Sequence, residues 1–210
     1  MTPQRHSAGD QPADDSSSTS LTLLDRARRE DPEAWRRLVQ LYGPTVFGWC
    51  RQSALQASDA ADIVQEVFRA VWAGIGGLRK DRPADSFRGW LWTITRNKLR
   101  DHLRRCALRP VAPGGTDAYQ QLQQLPDVPR EATRLEEDRS LTHRALQLIR
   151  AEFEDRTWEA FWASAVEGCS ADDIARDLGM TKGAVRQAKY RVLQRLRQDL
   201  CDPDEPGKMV

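Results

Sequence analysis

The chain has 210 residues, with 32 Lys and Arg against 31 Asp and Glu, for a formal net charge of +1. Charged residues make up 30%, the apolar set 40%, and no stretch approaches the roughly 20 apolar residues of a spanning helix, which excludes membrane insertion and leaves one or two small domains. Four cysteines without a CxxC pair or a histidine ladder argue against a zinc site and a disulfide framework, so no metal and no cofactor is expected and a reducing cytoplasm is the simplest setting.

Residues 1–20 are rich in Ser, Asp and Pro, hold no apolar leader segment and read as a disordered tail, as do residues 202–210. A first helical domain is expected over residues 21–106. Asp31-Pro32 offers an N-cap and a proline at the first helical position, and Trp35, Leu38, Val39, Tyr42, Val46 and Trp49 follow at helical spacing, with a kink predicted at Gly43-Pro44. Ser58 is the predicted cap of a second helix. Its apolar stripe is Ile63, Val64, Val67, Phe68, Val71 and Trp72, its polar side Asp62, Gln65, Glu66 and Arg69, and Gly74, Gly76 and Gly77 end it.

A third helix is predicted over residues 87–105. Between residues 86 and 109 stand seven basic residues (Arg88, Arg96, Lys98, Arg100, Arg104, Arg105, Arg109) against Asp101, a local balance of +6. At 100° per residue Thr93, Asn97, Arg100 and Arg104 share a polar face with Arg96 at its border, opposite Phe87, Trp90, Leu91 and Ile94. Such a face suits a phosphate backbone, and equally a solvated helix surface. Trp90 reads as core; Trp92 points away from it and is either a base-stacking residue or covered by a neighbouring helix.

Prolines, a Gly pair and glutamines mark a flexible linker over residues 107–133, and helical periodicity resumes at about Glu131 to build a second domain over residues 134–201. Trp158, Phe161, Trp162 and Ala165 are its predicted core. Ser170 to Asp173 forms a capping box, Ile174, Ala175 and Leu178 face inward, Gly179 supplies a left-handed turn, and Thr181 caps the next helix: a helix-turn-helix. Residues 181–198 carry six basic residues and no acid. Val185, Ala188, Val192 and Leu196 form the inner stripe, leaving Lys182, Arg186, Gln187, Tyr190, Arg191 and Gln194 outside, where Arg can read guanine and Gln adenine in a major groove.

His6, His102 and His143 lack a nucleophile or paired carboxylate at a suggestive spacing, and Gly74 to Gly77 ends a helix instead of following a strand, so an enzyme is not expected. The fold class is all-α, two small helical domains on a tether.

The segments DAADIVQEVFRAVW (59–72), FRGWLWTITRNKLRDHLRR (87–105) and DDIARDLGMTKGAVRQAKYRVLQRLR (172–197), in this order, resemble the extracytoplasmic-function (ECF) sigma factors of bacterial RNA polymerase. The resemblance spans nearly everything from Leu21 to Leu200 and implies a sigma region 2 bundle and a sigma region 4 helix-turn-helix. It implies core RNA polymerase as partner, docked by Asp62, Gln65 and Glu66. It also implies a melted -10 element held by Arg96, Asn97, Arg100 and Arg104, with a base pocket in the loop 77–86, and a duplex -35 element read by Lys182, Arg186, Gln187, Tyr190 and Arg191. The tether, with a balance of −3 over residues 110–140, would thread toward the RNA exit path, and an anti-sigma factor is a further expected partner. The rival readings are a free-standing helix-turn-helix regulator, which would bind a palindromic duplex alone, and a nucleic-acid-processing enzyme.

Overall fold

The structure, a computed structural model, describes residues 22–78, 86–107 and 131–200; all regular structure among them is helical. The loop assigned to the base pocket, apart from its ends, both tails and most of the tether lie outside the described residues. Helix α1 (Leu23–Arg28) leads into α2 (Pro32–Gln52), α3 (Ala57–Gly74), a 3-10 turn (Ile75–Gly77) and α4 (Phe87–Ala107). After the tether come α5 (Glu131–Ile149), a second 3-10 turn (Arg150–Glu152), α6 (Asp155–Ala165), α7 (Ala171–Asp177) and α8 (Lys182–Asp199).

Local chemistry sets several boundaries. Asp31 caps α2 by accepting from the amides of Glu33 and Ala34, and Pro32 stands where no amide is needed. Pro44 removes one backbone bond, yet α2 continues through it, because Leu41, Tyr42 and Val46 are buried on either side and hold both halves against the core. Ser58 does not cap α3. The cap position is Gln56, extended and without a side-chain bond, since buried Leu55, whose carbonyl accepts from Arg51, anchors the chain before the serine is reached.

Phe87, Leu91, Leu99, Ile63, Val67, Val71, Leu38 and Leu41 fill the core of the first domain, each such burial contributing about 1.5–3 kcal/mol. Trp72 departs from its predicted stripe. It is 44% exposed at the rim, edge-on to Trp35 at 4.9 Å, because α3 ends beside it and no helix among the described residues covers that side. Ala165, at the last position of α6, is likewise exposed and not core. A small cluster of Ala160, Ile174, Val185 and Ala188 lies under the helix-turn-helix. The main core is continuous between the halves: Ala145 and Ile149 of α5, Phe161 of α6, and Val192 and Leu196 of α8 join the α1–α4 core.

Candidate nucleic-acid and polymerase interfaces

The helix-turn-helix is built by local bonds. Ser170 accepts from the Asp173 amide (3.2 Å) and donates its hydroxyl to the same residue's carboxylate (2.6 Å). That bond, with one from Arg176, holds the Asp173 carboxyl below the usual carboxylate range. Gly179 takes φ +57, which a side chain resists, and the Met180 amide donates to the Ala175 carbonyl at 2.8 Å. Arg156 of α6 donates to the carbonyls of Leu178 and Gly179, placing a cation on the carbonyl end of α7 and tying the turn to its supporting helix. Thr181 then caps α8 through the Ala184 amide.

On α8, Val185, Ala188, Val192 and Leu196 are buried, as their spacing predicts. Arg186, Gln187, Tyr190 and Arg191 are exposed together toward the start of the helix, and Lys182, also exposed, is ion-paired with Asp172 across the turn. The group can therefore present donors and an aromatic ring to a groove, with Lys182 held near the helix start by its acid.

On α4, Thr93, Asn97 and Arg104 are exposed and Arg96 and Arg100 half-buried; Arg104 lies 3.8 Å from Asp101. Trp92 is buried, 4% exposed and edge-on to Trp49 at 5.2 Å, so a neighbouring helix covers it and it offers no stacking platform. Arg88 leaves the predicted basic surface altogether. At helical spacing it aligns with buried Trp92 and Leu99, about 180° from Asn97, and it pairs with Glu137 and with Asp138 (2.7 Å) of α5.

Asp62 and Gln65 are exposed on α3, with Gln65 accepting from Arg69 at 3.4 Å. Glu66 is half-buried and faces α4, 3.8 Å from Lys98 and 3.7 Å from Arg105. The predicted acidic-amide face is thus continuous with the flank of the basic helix. His102 sits between Asp59 (4.0 Å) and Cys106 (3.5 Å), a tie between α3 and α4, and no cluster of three or more His, Cys, Asp or Glu able to hold a metal occurs among the described residues.

Sigma-70 region 2 matches residues 38–108 and Sigma-70 region 4 matches residues 154–196. The chain is similar to the ECF RNA polymerase sigma factor SigL of Mycobacterium tuberculosis, 31% identical over 168 residues that cover 79% of this chain and 88% of the relative. The chain belongs to the ECF sigma factors. It is also similar to the RNA polymerase sigma-H factor of Pseudomonas aeruginosa (27% identical, covering 85% of this chain and 92% of the relative) and to the ECF sigma factor BldN of Streptomyces coelicolor (27%, 90% and 69%). Among solved structures, that of CnrH in complex with the cytosolic domain of CnrY is 24% identical over 83% of this chain and 92% of that one, with a TM-score of 0.34.

As an ECF sigma factor the protein binds core RNA polymerase and directs promoter recognition and transcription initiation. Region 2 corresponds to most of α2 with α3 and α4, and region 4 to α6–α8; α5 lies between the matched regions. No helix among the described residues is long and apolar enough to cross a membrane.

Proposed function

We propose that this sigma factor divides its promoter between its two domains, α4 holding the melted -10 strand and α8 reading the -35 duplex, while α3 docks region 2 on the polymerase. The observation that carries this reading is a pair of cationic helix faces, exposed Asn97 and Arg104 with half-buried Arg100 and Arg96 on α4, and exposed Arg186, Gln187, Tyr190 and Arg191 with Lys182 at the turn on α8. Capturing an unstacked base costs a few kcal/mol, which contacts to phosphates and a fitted pocket can offset. Asp62 and Gln65 supply acceptors to a basic partner surface, and Glu66 couples that surface to the α4 cations.

The protein does no bond chemistry of its own, works in the cytoplasm, where core polymerase is, and is held in check by an anti-sigma factor, as its family suggests. Two weak DNA contacts suffice because mounting both domains on one enzyme raises the effective concentration of the second after the first binds. The test is core-polymerase pull-down followed by in vitro transcription and footprinting on genomic promoter fragments. Binding with initiation from promoters protected at both elements is expected; a protein that ignores core, or binds duplex DNA equally well without it, refutes the proposal. Co-purification from the source cell tests for the inhibitor, which must block core binding.

A further inference from the structure

Six cations stand on α8, and the fold commits them unequally. Arg195 is tied to Glu152 (2.6 Å) and Asp199 (2.5 Å), and Lys189 donates to the Ser164 carbonyl at 3.4 Å, so both serve the domain itself. Arg186, Arg191 and Arg197 are exposed and make no ion pair among the described residues. Lys182 is exposed like these three, yet its ammonium is paired with Asp172 at the start of α7. The neighbouring Asp173 is occupied otherwise, accepting from the Ser170 hydroxyl (2.6 Å) and pairing with Arg176 (3.1 Å) to cap its own helix. Lys182, Arg186 and Tyr190 recur every four residues and share one face, so the carboxylate on Lys182 borders the surface proposed to enter the groove. In a helix-turn-helix the second helix meets base edges near its N-terminus while the first crosses the backbone. Asp172 and Lys182 therefore both stand where phosphates arrive, and the acid opposes what the lysine attracts. Their side chains are 56% and 61% exposed, and a pair so open to water is weak enough for a well-placed phosphate to displace.

We infer that Asp172 is a specificity-determining residue: it holds Lys182 back from the DNA backbone, so duplex without the right base contacts meets one cation fewer, and a helix seated by those contacts exchanges the carboxylate for a phosphate. The inference rests on the -35 reading of α8 above. Specificity is a difference of affinities, and weakening the wrong duplex raises it as well as strengthening the right one does. Each phosphate neutralised steepens the fall of log affinity with log salt by about 0.9. Releasing Lys182 therefore adds about 0.9 to the slope on unmatched duplex, an advantage that shrinks about 3.5-fold between 50 and 200 mM salt. On a matched element Lys182 is already engaged, and the change there is smaller.

The test uses holoenzyme reconstituted from the full-length chain and core polymerase, on promoter duplexes whose -35 element is matched or scrambled. Affinities are read by fluorescence anisotropy from 50 to 200 mM salt. Asp172→Asn removes the charge at an exposed site and leaves the Ser170–Asp173 cap in place, which circular dichroism verifies; should the helical signal fall, Asp172→Ser takes its place with the same expectation. The variant is expected to bind the scrambled duplex several-fold more tightly than wild type, with a slope steeper by about 0.9 and a lower matched-to-scrambled preference. Adding Lys182→Met abolishes that gain. An unchanged affinity and slope on the scrambled duplex, an equal gain on both duplexes, or a gain that survives Lys182→Met each overturns the inference. Arg186→Ala in the same assay separates this from the reading beneath it. If Arg186→Ala weakens matched binding while Asp172→Asn does nothing, the role of Asp172 alone fails; if Arg186→Ala changes neither duplex, the -35 reading of α8 fails instead.

Discussion

Replacing Trp92 by alanine separates a core tryptophan from a base-stacking one. The indole is 4% exposed and packs edge-on against Trp49, itself 2% exposed. Truncation to Ala at such a site costs about 3–5 kcal/mol, since the ring's transfer free energy is lost and the cavity closes only partly. The core containing Trp92 runs through both domains, and for a cooperative unit of about 150 residues each kcal/mol moves Tm by roughly 2–4 °C. Taking the middle of the range, Trp92→Ala melts about 8–16 °C below wild type, followed at 222 nm by circular dichroism. Trp72→Ala, at a 44% exposed rim position, is the control and shifts Tm far less. If Trp92 stacked on a base, Tm would hold and binding to a single-stranded -10 oligonucleotide would fall by about 1–3 kcal/mol instead. A Trp92→Ala protein melting within about 3 °C of wild type would refute the packing argument.

Four other expectations follow from particular side chains. Arg186→Ala weakens use of a -35-dependent promoter by about 1–3 kcal/mol and relaxes preference at one position, measured by transcription from a randomised -35 library; a uniform loss on all sequences makes Arg186 a phosphate contact. Asp62→Ala lowers core affinity with no change in -10 strand binding, whereas Glu66→Ala alters both, because it also releases Lys98 and Arg105, 3.8 and 3.7 Å away; identical profiles for the two variants count against that coupling. Burial pushes the Glu152 carboxyl up, but hydrogen bonds from Arg195 and Arg37 outweigh it and leave it below its ordinary 4.5. With the lower pKa in the folded form, the Glu152 contribution to stability is complete above about pH 4.5 and is lost as pH falls through the folded-state value, so on acid titration the Tm of wild type falls toward that of Glu152→Gln, followed by circular dichroism. Burial pushes the Cys50 thiol up to about 12 while Cys169 is exposed, so iodoacetamide near pH 8 labels Cys169 in the native protein and reaches Cys50 only after unfolding, read by peptide mass.

Helix identity and the helix-turn-helix were legible in the chain itself because their determinants are local. Asp31-Pro32, Ser170 with Asp173, Gly179 and Thr181 act within four residues of the bonds they make, and the structure reproduces each. The buried stripe of α8 follows from spacing alone, and the resemblance carried by residues 59–72, 87–105 and 172–197 agrees with the family to which the chain belongs.

What depended on neighbours far along the chain could not be read that way. Ser58 has the right chemistry for a cap, but burial of Leu55 starts α3 earlier. Arg88 and Trp92 sit in a basic, amphipathic segment whose periodicity marks two faces without saying which partner covers each; Glu137 of α5 and Trp49 of α2 decide that Arg88 is an inter-domain ion pair and Trp92 a core ring. Glu66 has the look of an exposed acid until α4 brings Lys98 and Arg105 beside it. Arg37, Leu41, Thr45 and Trp49 of α2 show only a spacing of four in the sequence, one that any amphipathic helix shares. Their bonds to Glu152, Arg144 and Glu137, about 90 to 115 residues away, come from the fold, because a charge acquires its role from whatever is set within a few ångströms of it.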